Sequence, residues 1–171
     1  MRRVLKWTFV LFACAFLLLQ FSRPARTNPV ADESRSIDAR LHVTPEVKAI
    51  FARACDDCHT NHTRWPWYSN VAPVSWWLTD HVRHGRRHLN FSDWARLNDS
   101  EAEQMLGLIC NWSKQDIMPL ASYTLMHRDA VLSPQDVGTL CAWTQAERQR
   151  LAATRSSRFN VQRCRSLNLE H

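Results

Sequence analysis

Cys55, Cys58 and His59 stand in the spacing C-x-x-C-H, inside the stretch ACDDCHTNHTRWPWYSN that runs from Ala54 to Asn70. No other feature limits so sharply what this chain can fold around. Three chemistries fit such a cluster: a zinc ion, a redox disulfide, or a covalently attached haem. Haem attachment demands this spacing, because two thiols three residues apart reach the two vinyl groups of one porphyrin while the next histidine lies beneath the iron. Zinc finds four donors in Cys55, Cys58, His59 and His62. Zinc modules, however, usually take their second ligand pair from about a dozen residues away or more. Adjacent Cys58 and His59 are also badly placed for two corners of one tetrahedron. A thioredoxin-type pair calls for a βαβ context, and the chain shows no convincing alternating strand.

The pattern is helical throughout. Glycine occurs only at Gly85, Gly107 and Gly138, which speaks against a turn-rich β fold and against a glycine-rich phosphate loop. Thr44-Pro45-Glu46 opens a helix with an N-cap hydroxyl, a proline at the first position and an early acid. Val47, Ile50, Phe51 and Ala54 then recur at helical spacing and lead into Cys55. A second helix is expected from Pro73 to about Gly85, with Val74, Trp77, Leu78 and His81 on one face. Asn98 and Glu101 form a capping pattern for a third, with Ala102, Met105, Leu106 and Ile109 on its stripe. Ser133-Pro134 starts a fourth, carrying Val137, Leu140, Cys141 and Thr144. Between the last two lies a predicted loop, NWSKQDIMPLASY.

That loop supplies a candidate for the sixth position of a haem iron. Met118-Pro119 lies on it, and a thioether held by a proline-containing segment is a frequent partner to histidine, one that raises the reduction potential. Met105 belongs to a helix stripe and Met126 is less distinctively placed. His81, His84 and His88 are competing ligands, and plain core packing is the alternative for Met118. Cys110 and Cys141 fall in helices three and four. Outside the cytoplasm such cysteines tend to pair, and a bridge would hold the Met118 loop at both ends; two free thiols are the alternative. Cys164 has no obvious partner.

The N-terminal segment MRRVLKWTFVLFACAFLLLQFSRPAR combines positive charge with an apolar run from Trp7 to Phe21. It reads as an export signal, and an uncleaved membrane anchor fits better than a cleaved signal because no A-x-A site follows. The run is short for a span of roughly 20 residues. Lipidation at Cys14 is a remoter possibility, as Phe12 is large for such a site. The formal charge of +6 is unevenly spread. Residues 1–26 hold five basic side chains and no acid, residues 27–147 hold 11 basic and 15 acidic, and from Arg148 onward six arginines meet only Glu170. A mildly acidic centre argues against a nucleic-acid-binding domain, whose positive charge belongs on the folded face. The expected organisation is a signal or anchor over 1–26, a linker over 27–43, a haem-binding domain over 44–147 and an arginine-rich tail over 148–171.

With these residues assembled, the chain resembles the haem-binding domain family of bacterial c-type cytochromes. The matching stretches are CDDCHTNHTRWPWYSNVAPVSWWLTDHVRHGRRHLNFSDW and MPLASYTLMHRDAVLS, within about residues 40–146. The resemblance implies an all-α, cytochrome c-like domain of about four helices around one haem c. It also implies attachment at Cys55 and Cys58, with His59 and Met118 as iron ligands. Arg64, Trp65, Trp67, Tyr68 and Trp76 then become candidates to wall the porphyrin or meet its propionates. The arginines and histidines of HVRHGRRHLNFSDW face propionates, an acidic partner or water. The expected function is electron transfer at the periplasmic face of the inner membrane with an unidentified redox partner protein. A haem-based sensor is the alternative, as is a soluble periplasmic protein released by signal cleavage. No acid–base constellation suggests an enzyme.

Overall fold

The caps seen in the sequence do open their helices. In the computed structural model, which describes residues 1–167, Thr44 Oγ1 accepts the Val47 N–H at 3.4 Å. Asn98 Oδ1 accepts the N–H groups of Ser100 and Glu101, while the Glu101 carboxylate accepts the Asn98 N–H at 2.9 Å. Such reciprocal caps satisfy donors that a helix cannot satisfy itself. The described residues form eight α-helices and no strand: α1 (Arg2–Leu19), α2 (Ile37–Arg40), α3 (Pro45–Ala54), α4 (Asp56–His59), α5 (Val74–His88), α6 (Asp99–Lys114), α7 (Ala121–Met126) and α8 (Pro134–Leu167). The chain is therefore all-α.

The core lies where α3, α6 and α8 meet a short helical stretch, Phe91–Arg96. Phe51 sits between Phe91, stacked at 4.6 Å, and Trp143, edge-on at 5.5 Å. Val47 and Leu106 are completely buried. A disulfide joins Cys110 of α6 to Cys141 of α8 with their Cα atoms 4.7 Å apart. The long pair α6 and α8 forms a rigid spine, on which α3 sets the direction of α4.

Three features differ from the sequence expectation. The linker expected over 27–43 contributes Ile37 and Leu41 to the core, each 5% exposed. Two isolated apolar residues carry no periodicity, so nothing in the local pattern announces their burial. Gly85 does not end α5, which continues to His88. The expected loop is shorter than 111–123, because α6 runs to Lys114 and α7 begins at Ala121. The arginine-rich tail, for which the sequence leaves an extended helix or disorder open, continues α8 through Leu167. Arg150 pairs with buried Glu147 at 2.7 Å and donates to the Arg40 carbonyl. Arg155 and Arg158 reach back to Glu103 and Asp99 on α6. Part of the terminal basic charge is thus internally paired. Cys164 lies outside the residues whose side chains are described.

No helix among the described residues is long and apolar enough to cross a membrane. Arg2, Arg3 and Lys6 occupy the first turns of α1, and its apolar side chains are exposed. The segment that follows is tied down. Gln20 exchanges hydrogen bonds with both backbone groups of Ala72, and the Trp76 indole donates to the Ser22 carbonyl.

Candidate functional site

The C-x-x-C-H stretch forms the junction between α3 and α4, with Cys55 at the joint and His59 closing α4. His59 is held in one tautomer. Its Nδ1 lies 2.9 Å from the Leu89 carbonyl, which can only accept. The proton therefore sits on Nδ1, and Nε2 is left with a free lone pair, the arrangement seen when a carbonyl orients a metal-ligating imidazole. Burial pushes the His59 pKa down, favouring the neutral ring that metal binding needs.

Cys55 and Cys58 are free thiols, unlike Cys110 and Cys141. Burial, followed by the neighbouring carboxylate Asp56, pushes the Cys55 pKa up to about 12. Burial and Asp57 push Cys58 up to about 11. Neither is the low-pKa thiolate that disulfide exchange uses. His62, the fourth potential zinc donor, turns instead toward Glu33 at 3.2 Å. Among the described residues no group of three or more His, Cys, Asp or Glu side chains is arranged to hold a metal ion.

Helix α5 packs directly on this motif, and Gly85 is why it can. A Cβ at that position would lie 2.6 Å from the Cys58 carbonyl oxygen, closer than real contacts allow. Arg86 locks the same junction. It donates to the Thr60 carbonyl at 2.8 Å, to Thr63 Oγ1 at 2.7 Å, and to Thr27 O and Asn28 Oδ1, both at 2.8 Å. These contacts hold Cys58 and the backbone that follows the motif against α5 and the segment after α1.

Beside Cys58 lies an apolar cleft of about 240 Å³. Leu78, Trp77 and His81 of α5 form one wall; Tyr123 and Met126 of α7 form the other, with Tyr68 at the side. His81 donates from Nδ1 to the Trp77 carbonyl at 2.8 Å, leaving Nε2 free there too. Behind the cleft runs a polar network. The Tyr123 hydroxyl donates to Asp57 Oδ2 at 2.8 Å, and Asp57 Oδ1 accepts from the Arg64 backbone and Nε. Tyr68 and His127 share a hydrogen bond of 2.7 Å, and the His127 ring stacks on Tyr123 at 4.3 Å. Burial and the bond to Asp57 raise the Tyr123 pKa, so its hydroxyl remains a donor.

The structure separates the candidates picked from the sequence. It brings Tyr68 to the cleft beside Cys58, and Trp77 with it. Arg64 stands behind it, engaged with Asp57 and the Ala52 carbonyl. Trp65, Trp67 and Trp76 do not line the cleft: Trp65 bonds Asn28, Trp67 is largely exposed, and Trp76 holds the segment after α1. Met118 is half-buried just before α7 and is not among the lining residues, whereas Met126 is. Tyr123 and His127 were invisible in the sequence. Their stretch followed a Met-Pro pair and showed no periodicity, although an aromatic–histidine pair four apart is a recognisable helical neighbour relation.

Two free thiols, a tautomer-fixed imidazole and an adjoining apolar cleft define an all-helical cofactor-binding domain. The model of the haem-binding domain family matches residues 14–146, well over half of the chain, and the chain belongs to that family. No curated protein and no solved structure matches it. The residues present fit haem: two protonated thiols for the vinyl groups, one free imidazole nitrogen for iron, and apolar walls for a porphyrin.

Proposed function

We propose that the chain is a monohaem c-type cytochrome domain that transfers electrons. Cys55 and Cys58 would hold the porphyrin through thioether bonds, and His59 Nε2 would ligate the iron. When bound, haem supplies a one-electron iron couple. The residues around it do the rest: Leu89 orients His59, Gly85 and Arg86 fix the motif's backbone, and the cleft between α5 and α7 excludes water. The observation that carries the reading is the His59–Leu89 hydrogen bond beside two unpaired thiols. Met118 is the proposed sixth ligand on the strength of its Met-Pro setting. The domain is a carrier rather than a catalyst and has a redox protein as its partner. It works at the periplasmic face of the inner membrane, held there by its apolar N-terminal segment unless that segment is cleaved.

A denaturing gel stained for haem tests the attachment. Colour should stay with the polypeptide, and visible spectra should show six-coordinate iron in both oxidation states. A colourless band whose intact mass equals bare polypeptide would overturn the proposal. One observation favours a second reading, a sensor with a displaceable ligand: His81 and Met126 line the cleft and Met118 does not. Rapid, tight carbon monoxide binding by the reduced protein at neutral pH would select that reading over the carrier.

A further inference from the structure

Helix α5 has a second functional face. Its residues Val74, Trp77, Leu78 and His81 look into the apolar cleft, while Thr79, Arg83, Arg86 and Arg87 line a different cavity of about 310 Å³. At 100° per residue the two sets lie well over a quarter-turn apart on the helix surface. Arg96 and Trp65 close the second cavity from the other side. Four arginines therefore converge on one space, in the part of the chain where acids outnumber bases. No Asp or Glu lines it, and none of the four makes an ion pair among the described residues.

The hydrogen-bond tally points the same way. Arg86 donates four hydrogen bonds to protein oxygens, and Arg96 donates to the Arg87 carbonyl at 3.0 Å. The Arg83 and Arg87 guanidinium groups have no partner among the described residues and are exposed. Like charges gathered without counter-charge repel one another unless an anion is shared between them. One anion between the arginines relieves that repulsion.

We propose that this cavity binds a phosphate-bearing anion. A phosphate group carries enough acceptor oxygens and charge to serve several guanidinium forks together, which a single carboxylate does not. The site is separate from the cofactor's anchor, since neither Cys55, Cys58 nor His59 lines it. Ala25, Thr27 and Pro29 form part of its wall, a few residues beyond the end of α1. A lipid headgroup at the foot of that apolar helix and a free phosphate compound are thus both within its chemistry.

The test uses the full chain loaded with haem. Calorimetric titration with pyrophosphate reads the soluble source. Co-sedimentation with phosphatidylcholine vesicles, with and without phosphatidylglycerol, reads the lipid source. The R83Q/R87Q double variant removes two cations that hold nothing else, so its circular dichroism should be unchanged. Saturable pyrophosphate binding that weakens at least tenfold in the variant assigns a soluble anion. A phosphatidylglycerol preference that falls at least tenfold in the variant assigns a headgroup, because α1 with its own basic residues is common to both proteins. The proposal fails if R83Q/R87Q matches the wild type in both assays. It fails equally if binding occurs only in protein lacking haem, which would give the cavity to the cofactor's own carboxylates.

Discussion

The two halves of this molecule treat their polar groups in opposite ways. In the α3–α6–α8 half, charges find partners: Arg150 with Glu147, Arg155 with Glu103, Arg158 with Asp99 and Arg53 with Asp136. The apolar faces there close on one another, and a disulfide ties the spine. In the α4–α5–α7 half, the four arginines around one cavity stand without acids, two hydroxyls are orphaned, and an apolar cleft stays open beside Cys58. Stability is concentrated in the first half and unspent binding capacity in the second. Active and binding sites are where folds leave such local rules unsatisfied.

This contrast can be broken by experiment. The largest expected effect is in the spine. Replacing Cys110 and Cys141 with serine frees a loop of about thirty residues and should cost about 3–4 kcal/mol on the chain-entropy account. Denaturant unfolding would measure it, and the haem spectrum of the folded fraction should stay the same. A spectral change without a stability loss would show that the bridge belongs to the site.

Glycine substitutions divide the halves more finely. Gly85→Ala pushes a methyl group against the Cys58 carbonyl and should cost about 1–3 kcal/mol while lowering haem incorporation. Gly138→Ala, in α8 with open space around it, should instead stabilise by up to about 1 kcal/mol. Paired thermal melts would read both, and equal signs would undo the comparison. Tyr123→Phe leaves buried Asp57 short of one donor and should cost about 1–2 kcal/mol, with the disturbance confined to the cleft's optical spectrum.

The smallest effect is a pH dependence. The Arg53 guanidinium, with Ser133, holds the Asp136 pKa down at about 2, below its ordinary 3.8. A depressed carboxyl stabilises the fold above the unfolded value and stops doing so as pH falls through 3.8 toward 2. The pair is partly exposed, so about 1 kcal/mol or less is at stake. Arg53→Gln should flatten that acid limb in melts between pH 2 and 4, and an unchanged slope would remove the pair from the list of contributors.

Much was legible because it was local. The C-x-x-C-H spacing, the Thr44 and Asn98 caps and the stripes of α3 and α6 each lie within one or two helical turns. Gly85 was misleading for the opposite reason. Its propensity suggested a helix end, while its true constraint is the Cys58 carbonyl, 27 residues earlier in the chain. The segment 27–43 read as a linker because Ile37 and Leu41 reveal their burial only once the rest of the core is assembled around them. Tyr123 and His127 belong to the site through Asp57 and Tyr68, partners some sixty residues away.

By itself the sequence determined the helical class and the C-x-x-C-H spacing, since spacing along one turn is covalent geometry. The tertiary structure alone decided which nitrogen of His59 is free, which aromatics wall the cleft, and that four arginines share a cavity. Those depend on atoms brought together by packing, and chain order does not record them.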